Sequence, residues 1–247
     1  MSDDQYVPKK LIGSAGMTSV ACFDIECTYR GVSAHAGATP WEGVNALDAV
    51  VSAYNNISML RQQIQPTERI HGAIMEAPKI TNAIPAYTVT KYTIRSPTIK
   101  GARALGERVR RCIDAGALAT GCKVELSETP LYADLRINNS LCHSFQEHMA
   151  AQGLPVEAGS PELMAGSTDQ GNVSYEVPGL HAIIGVPVSD GSHNHTAGFT
   201  NAVGTEEAHY RTIASGKAMA LSGWDVVTSD DLYDAIVKDF EQDKKHR

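Results

Sequence analysis

No run of about 18 consecutive apolar residues occurs in this 247-residue sequence, so no membrane-spanning helix is expected. The opening stretch, MSDDQYVPKK, lacks the apolar core of a signal peptide. Positive charge is also short: 21 Lys and Arg stand against 28 Asp and Glu, a net charge of -7. Binding phosphate needs a basic field, so the charge balance argues against nucleic acid as a partner. The one dense basic run, Arg103, Arg108, Arg110 and Arg111, shares a predicted helix with Glu107 and Asp114 and reads as a solvated face. C-x-x-C pairs are missing. The five cysteines, Cys22, Cys27, Cys112, Cys122 and Cys142, are odd in number and unpaired in sequence, which argues against a thiolate zinc site and predicts reduced thiols in a cytoplasmic protein. What is present is ordinary globular material, 43% hydrophobic and 20% charged, enough to build a core.

Periodicity divides the chain. Residues 19–31 alternate polar Asp24, Glu26, Thr28 and Arg30 with apolar Ile25, Cys27 and Tyr29, a strand pattern. Residues 39–63 read as a helix opened by a capping box, with Thr39 as N-cap, Pro40 at the first helical position and Glu42 three residues on. Val44, Leu47, Val51, Tyr54 and Ile57 would form its apolar face. Strands are expected at 69–77 and 86–96, joined by the loop KITNAIPA. A second helix over about 99–120 places Ala102, Leu105, Val109 and Ile113 in phase and ends at Gly121, a C-terminal glycine cap. Residues 123–130 read as a last strand. The order β-α-β-β-α-β over 18–132 is that of a ferredoxin-like unit, an antiparallel sheet with two helices on one face, leaving the other face or an edge strand free to pair.

Beyond Pro130 the pattern changes. A helix is expected at 139–152, a polar loop at 165–172, a buried strand at 181–186 and a loop at 189–199. A slim helix carrying Ala208, Ala214, Ala218 and Ala220 runs from near Gly204 to about Val227, and a polar helix closes the chain. One convincing strand cannot make a sheet, so this segment reads as part of a larger α/β unit.

Three stretches carry candidate chemistry. His35 lies in the small-residue loop GVSAHAGATP; Asn82 lies in ITNAIP, upstream of a strand ending near Arg95; and GSTDQGN precedes SHNHT. Singly these read as a loop histidine, a turn, a surface arginine and a weak H-x-H pair. Glu206, Glu207 and His209 leave a mononuclear metal site with His193 and His195 open as a reading, against the simpler one of carboxylates at a helix N-terminus.

Taken in order, G-V-S-A-H-A-G-A-T-P-x-x-G-V-N-A-L, T-N-A-I-P, a strand ending in Arg, G-S-T-D-x-G-N and N-H-T resemble the aminoacylase, dipeptidase and desuccinylase family of metallopeptidases, in its amidohydrolase branch. The resemblance covers 18 to about 227. It implies an α/β fold in which a ferredoxin-like lid and dimerisation domain is inserted into a catalytic domain holding two zinc ions. It divides the chain into a tail or remnant connector (1–17), the lid (18–132) and the C-terminal portion of the catalytic domain (133–247). It implies that His195 is a metal ligand, with His193 only its neighbour. His35 would reach across a homodimer to donate a hydrogen bond to the oxyanion of the partner's substrate. Asn82 would contact substrate near that oxygen, Arg95 would grip a substrate carboxylate, and Gly166, Ser167 and Thr168 would line the pocket. The implied substrate is a small acyl-amino acid or dipeptide.

One departure is large. The family's His-x-Asp pair and Glu-Glu pair, which supply metal ligands and the general base, are absent from residues 1–17. Gly204-Thr205-Glu206-Glu207 follows the N-H-T motif and does not replace them. The chain alone is therefore expected to be inactive and not necessarily zinc-bound. The alternative is a non-catalytic dimerisation or binding module built on the ferredoxin-like domain.

Overall fold

The structure, a computed structural model, describes residues 11–188 and 191–247. Residues 1–10 of the expected tail, and the first two positions of the expected loop at 189–199, lie outside the described residues. In chain order the elements are strands β1 (Gly13–Ser14), β2 (Met17–Ser19), β3 (Ala21–Arg30) and β4 (Ala34–His35), helix α1 (Ala46–Leu60), strands β5 (Arg69–Glu76), β6 (Ala83–Ile84) and β7 (Tyr87–Ser96), and helix α2 (Ile99–Thr120). Then come strand β8 (Lys123–Glu128), helix α3 (Asn139–Ala151), strand β9 (Ser160–Met164), helix α4 (Gln170–Glu176), strand β10 (Ile183–Ile184), and helices α5 (Ala197–Val203), α6 (Glu206–Thr228) and α7 (Asp230–Asp243). No described helix is long and apolar enough to cross a membrane. Two compact units result: Ser19–Asp134 with Ala165–Asp169, and Leu135–Met164 with Gln170–Arg247 and the described residues before Ser19.

The first unit is the expected ferredoxin-like fold. Its antiparallel sheet has the order β5-β7-β3-β8, with β3 and β7 in register from Ala21 opposite Ser96 to Arg30 opposite Tyr87. The alternation in β3 buries Ala21, Phe23, Ile25, Cys27 and Tyr29. Against them pack Ala102, Leu105, Val109 and Ile113 of α2, the four residues that the helical period picked out. The Tyr29 hydroxyl donates to the Ile113 carbonyl at 2.9 Å, so its polar end is satisfied inside the core. Gly121, at φ 77, closes α2 as expected.

Helix α1 departs from expectation at its start. Pro40–Glu42 form only a 3₁₀ turn, and Thr39 makes no side-chain cap. The helix begins at Ala46, where the Asn45 side chain accepts from the amides of Leu47 and Asp48. The reason is a competing backbone pairing: Val44 and Val32 exchange two hydrogen bonds at 2.9 Å, which holds 43–44 extended. Gly31 makes that approach possible, since a Cβ there would lie 2.0 Å from the Val44 carbonyl oxygen. The buried face is also rotated. Ala46, Ala49, Val50, Ala53 and Ile57 meet the core, whereas Val51 and Tyr54 are 49% and 47% exposed.

In the second unit, residues 11–17, expected to be a tail or connector, are partly strand: β1 pairs with β10 and β2 with β9. Ala15 is fully buried with Phe145, Met149, Val156 and Ala218. The strand expected at 181–186 shortens to Ile183–Ile184. Among the described residues this unit has only two-stranded sheets. Helix α6 is capped by Thr205 and buries Ala208, Ala214 and Ala218, while Ala220 is exposed. Tyr210, Ile213 and Trp224 of α6 are exposed as well.

Candidate functional site

The ferredoxin-like unit brings the candidate residues into two places. The first is an open cleft of about 500 Å³ on the sheet face opposite the helices, lined by Cys22, Asp24, Thr93, Arg95, Tyr132 and Ser167 among others. Arg95 is placed by register, directly opposite Cys22 near the end of β7. One guanidinium nitrogen donates to the Ala165 carbonyl at 3.0 Å and to the Ser167 hydroxyl at 3.3 Å. Its Nε is buried and has no partner among the described residues. A buried donor of this kind is costly until an acceptor arrives. Gly166 fixes the same loop, its carbonyl accepting from the Val20 amide at 3.1 Å. Thr168 lies in the same 165–169 segment.

The anion beside Arg95 is Asp24. For Asp24, burial is the largest influence and raises the pKa. Hydrogen bonds from Thr93 (2.6 Å) and Lys91 (2.9 Å), with the charges of Lys91 and Arg95, outweigh it and hold the carboxyl below its ordinary value. His71, across the sheet, is pushed down first by burial and then by Arg95, Arg69 and Arg61. Asp24, Thr93 and Tyr132 were not singled out by sequence. The alternation of β3 assigned Asp24 to the polar face, but nothing in the pattern says that a cleft forms there.

The second place is the His35 turn. Strands β4 and β6 pair Ala34 with Ile84 and His35 with Ala83. The Asn82 carbonyl accepts from the Ala36 amide at 3.0 Å, so Asn82 buttresses the turn through its backbone while its side chain stays exposed. The His35 ring is exposed, and its Nδ1 accepts from the Gly37 and Ala38 amides, both at 3.1 Å.

These two places sit at opposite ends of β7. The turn joins the sheet where Gly31 bonds to Ala86 beside Tyr87, and Arg95 is eight residues further along the strand. The separation is roughly 26 Å at ~3.3 Å per residue. A dipeptide spans only about 7 Å, so within one chain His35 and Arg95 do not reach the same small substrate.

His195 belongs to the other unit. It is exposed, in a left-handed turn (φ 69), just before Thr196 caps α5. Among the described residues no three His, Cys, Asp or Glu side chains come together as a metal site. The donors present therefore do not fit a zinc ion by themselves. The mononuclear site of His193, His195 and His209 is overturned with them: α5 and the Thr205 cap intervene before α6 carries His209. Glu206 and Glu207 occupy the first turn of α6, where carboxylates favour the helix dipole.

The fold of the first unit defines its class, a ferredoxin-like domain. Residues 19–120 match the peptidase dimerisation domain family. The chain is 38% identical over 231 residues to the Xaa-Arg dipeptidase of Mus musculus, covering 92% of this chain and 53% of that protein. It is 37% identical over 233 residues to the Xaa-Arg dipeptidase of Homo sapiens, covering 92% and 52%. A tripeptidase from Staphylococcus aureus shares the fold at TM-score 0.62 and 19% identity, over 87% of this chain and 56% of that one. The chain thus carries a peptidase dimerisation domain over residues 19–120, is similar to dipeptidases along most of its length, and spans about half the length of the curated relatives it matches.

Proposed function

We propose that this chain supplies the dimerising lid and the C-terminal portion of the catalytic domain to a hydrolase of amide or peptide bonds in small acyl-amino acids or dipeptides, Xaa-Arg dipeptides among them. The observation that carries the reading is the cleft at Arg95, whose buried Nε has no partner among the described residues. Arg95 grips the substrate's free carboxylate, and Gly166, Ser167 and Thr168 wall the pocket. His35 donates a hydrogen bond to the oxyanion that develops when the amide carbonyl is attacked, with Asn82 beside it. The placement of the His35 turn and Arg95 at opposite ends of β7, which is roughly 26 Å long between Tyr87 and Arg95, supports a shared arrangement, in which His35 of one copy serves the site that holds Arg95 of the other. His195 would offer one nitrogen to a zinc ion, around which no group of three donors forms among the described residues. All five cysteines are free, which supports a reduced, cytoplasmic setting.

The homodimer forms through β5 and α1. β5 is an edge strand with exposed Ile74 (49%) and Met75 (56%). Long exposed apolar edges invite pairing. Antiparallel pairing with a second β5 about Gly72 sets Ile70 opposite the Ile74 of the other copy. α1 runs on to the same edge, where Arg61 donates to the Ile70 carbonyl, and offers Val51 and Tyr54 alongside.

Calorimetric titration of the chain with a dipeptide and with its C-terminal amide tests the site. The free carboxylate is expected to bind, the amide weakly or not at all, and Arg95→Ala to lose tenfold or more in affinity, about 1.4 kcal/mol. Equal binding of acid and amide, or an indifferent Arg95→Ala, rules the assignment out. The chain alone is expected to show negligible hydrolysis, and zinc-dependent turnover by it would contradict the incomplete ligand set. The four-stranded sheet of the ferredoxin-like unit, beside only two-stranded sheets among the described residues of the other, favours one second reading, a non-catalytic dimerisation module. That reading predicts a dimer with no dipeptide binding.

A further inference from the structure

His35 sits on a turn that its own atoms close. Its carbonyl oxygen accepts from the amides of Ala38 at 3.2 Å and Thr39 at 3.0 Å. Its ring Nδ1 accepts from the amides of Gly37 and Ala38, each at 3.1 Å. A neutral imidazole carries one donor nitrogen and one acceptor nitrogen, and the partner of one sets the role of the other. With two backbone N–H groups aimed at Nδ1, a proton there would face donors only. The ring proton must sit on Nε2.

The turn is held from outside as well. His35 and Ala34 are paired with β6, and the Ala36 amide is bound by the Asn82 carbonyl. The two amides therefore approach Nδ1 from a fixed backbone, which a flexible side-chain acceptor or donor would not provide.

We propose that the Gly37 and Ala38 amides are a positioning device that locks His35 as the Nε2–H tautomer and makes the exposed end of the ring an obligate hydrogen-bond donor. Nε2 already holds its proton, so it neither takes one from an attacking water nor ligates a cation. Nδ1 is occupied, so it does neither. His35 is thereby assigned to donation onto a substrate oxygen and removed from the general-base and metal-ligand roles that a histidine can fill. The assignment of a substrate oxygen as acceptor rests on the hydrolase reading, whereas the locked tautomer does not.

Long-range ¹H–¹⁵N correlation spectra of the labelled 247-residue chain test this above the histidine titration range. His35 is assigned from the ring signals lost in His35→Gln. The expected result is an unprotonated Nδ1 and a protonated Nε2; the reverse pattern, or a tautomer-averaged pair, overturns the proposal. Ala38→Pro deletes one of the two amides, and Ala38→Gly keeps both. Averaging is expected in the proline variant alone, with the backbone amides of β7 unmoved. A lock that survives Ala38→Pro with the sheet intact shows that the amides are not the device. If the proline disturbs the sheet, the native spectrum still decides the tautomer. A locked Nε2–H combined with dipeptide binding indifferent to Arg95 would defeat the hydrolase reading and leave this one standing.

Discussion

Arg95 and Asp24 share one wall of the cleft, and their charges are coupled. Asp24 accepts from Thr93 and Lys91, and its carboxyl lies below the ordinary value even though burial opposes that. The folded-state pKa is depressed, so the stabilisation is fully present above the unfolded value of about 3.9 and is lost as pH falls through the folded one. Urea unfolding between about pH 5 and about pH 2 should lose part of its acid sensitivity in Asp24→Asn. An unchanged pH profile would show that the carboxyl is not paired as described. At the same scale, the order of motifs that carries the family resemblance singled out His35, Asn82 and Arg95 as candidates. It was not enough to say what they touch. The buried Nε of Arg95 depends on strand register and on a loop some 70 residues away.

At the scale of elements, helix α2 was legible throughout: period, buried face and glycine cap all agree. Helix α1 was legible as a helix but not in its first turns. A capping-box pattern at Thr39 competes with the backbone pairing of Val44 and Val32, and tertiary pairing wins. The cap is therefore Asn45. Asn45→Ala should destabilise the domain by about 1 kcal/mol, and Thr39→Ala by a few tenths at most. Denaturant midpoints of the two variants decide; a larger loss at Thr39 would restore the capping box. The apolar stripe through Leu47, Val51 and Tyr54 was also real in the sequence, yet only part of the helix's apolar surface meets the chain's own core. Periodicity reports that a face is apolar, not which molecule covers it. The short strands β1, β2, β4 and β6 had no signal, since two or three paired residues are fixed by their partners and carry no period of their own.

For the whole molecule, the ferredoxin-like unit is complete and the second unit is not a sheet of its own among the described residues. That asymmetry places the weight of the account on the dimer. His35 and Arg95 lie too far apart in one chain to share a dipeptide, so the proposed site needs a second copy. Sedimentation equilibrium of the purified chain tests this most directly, with Val51→Glu and Ile74→Lys in parallel. The account predicts a particle of twice 26.5 kDa, with each charged variant weakening the dimer by roughly tenfold or more in Kd. A native chain that stays at 26.5 kDa across the concentration range, or a dimer indifferent to both substitutions, would contradict it.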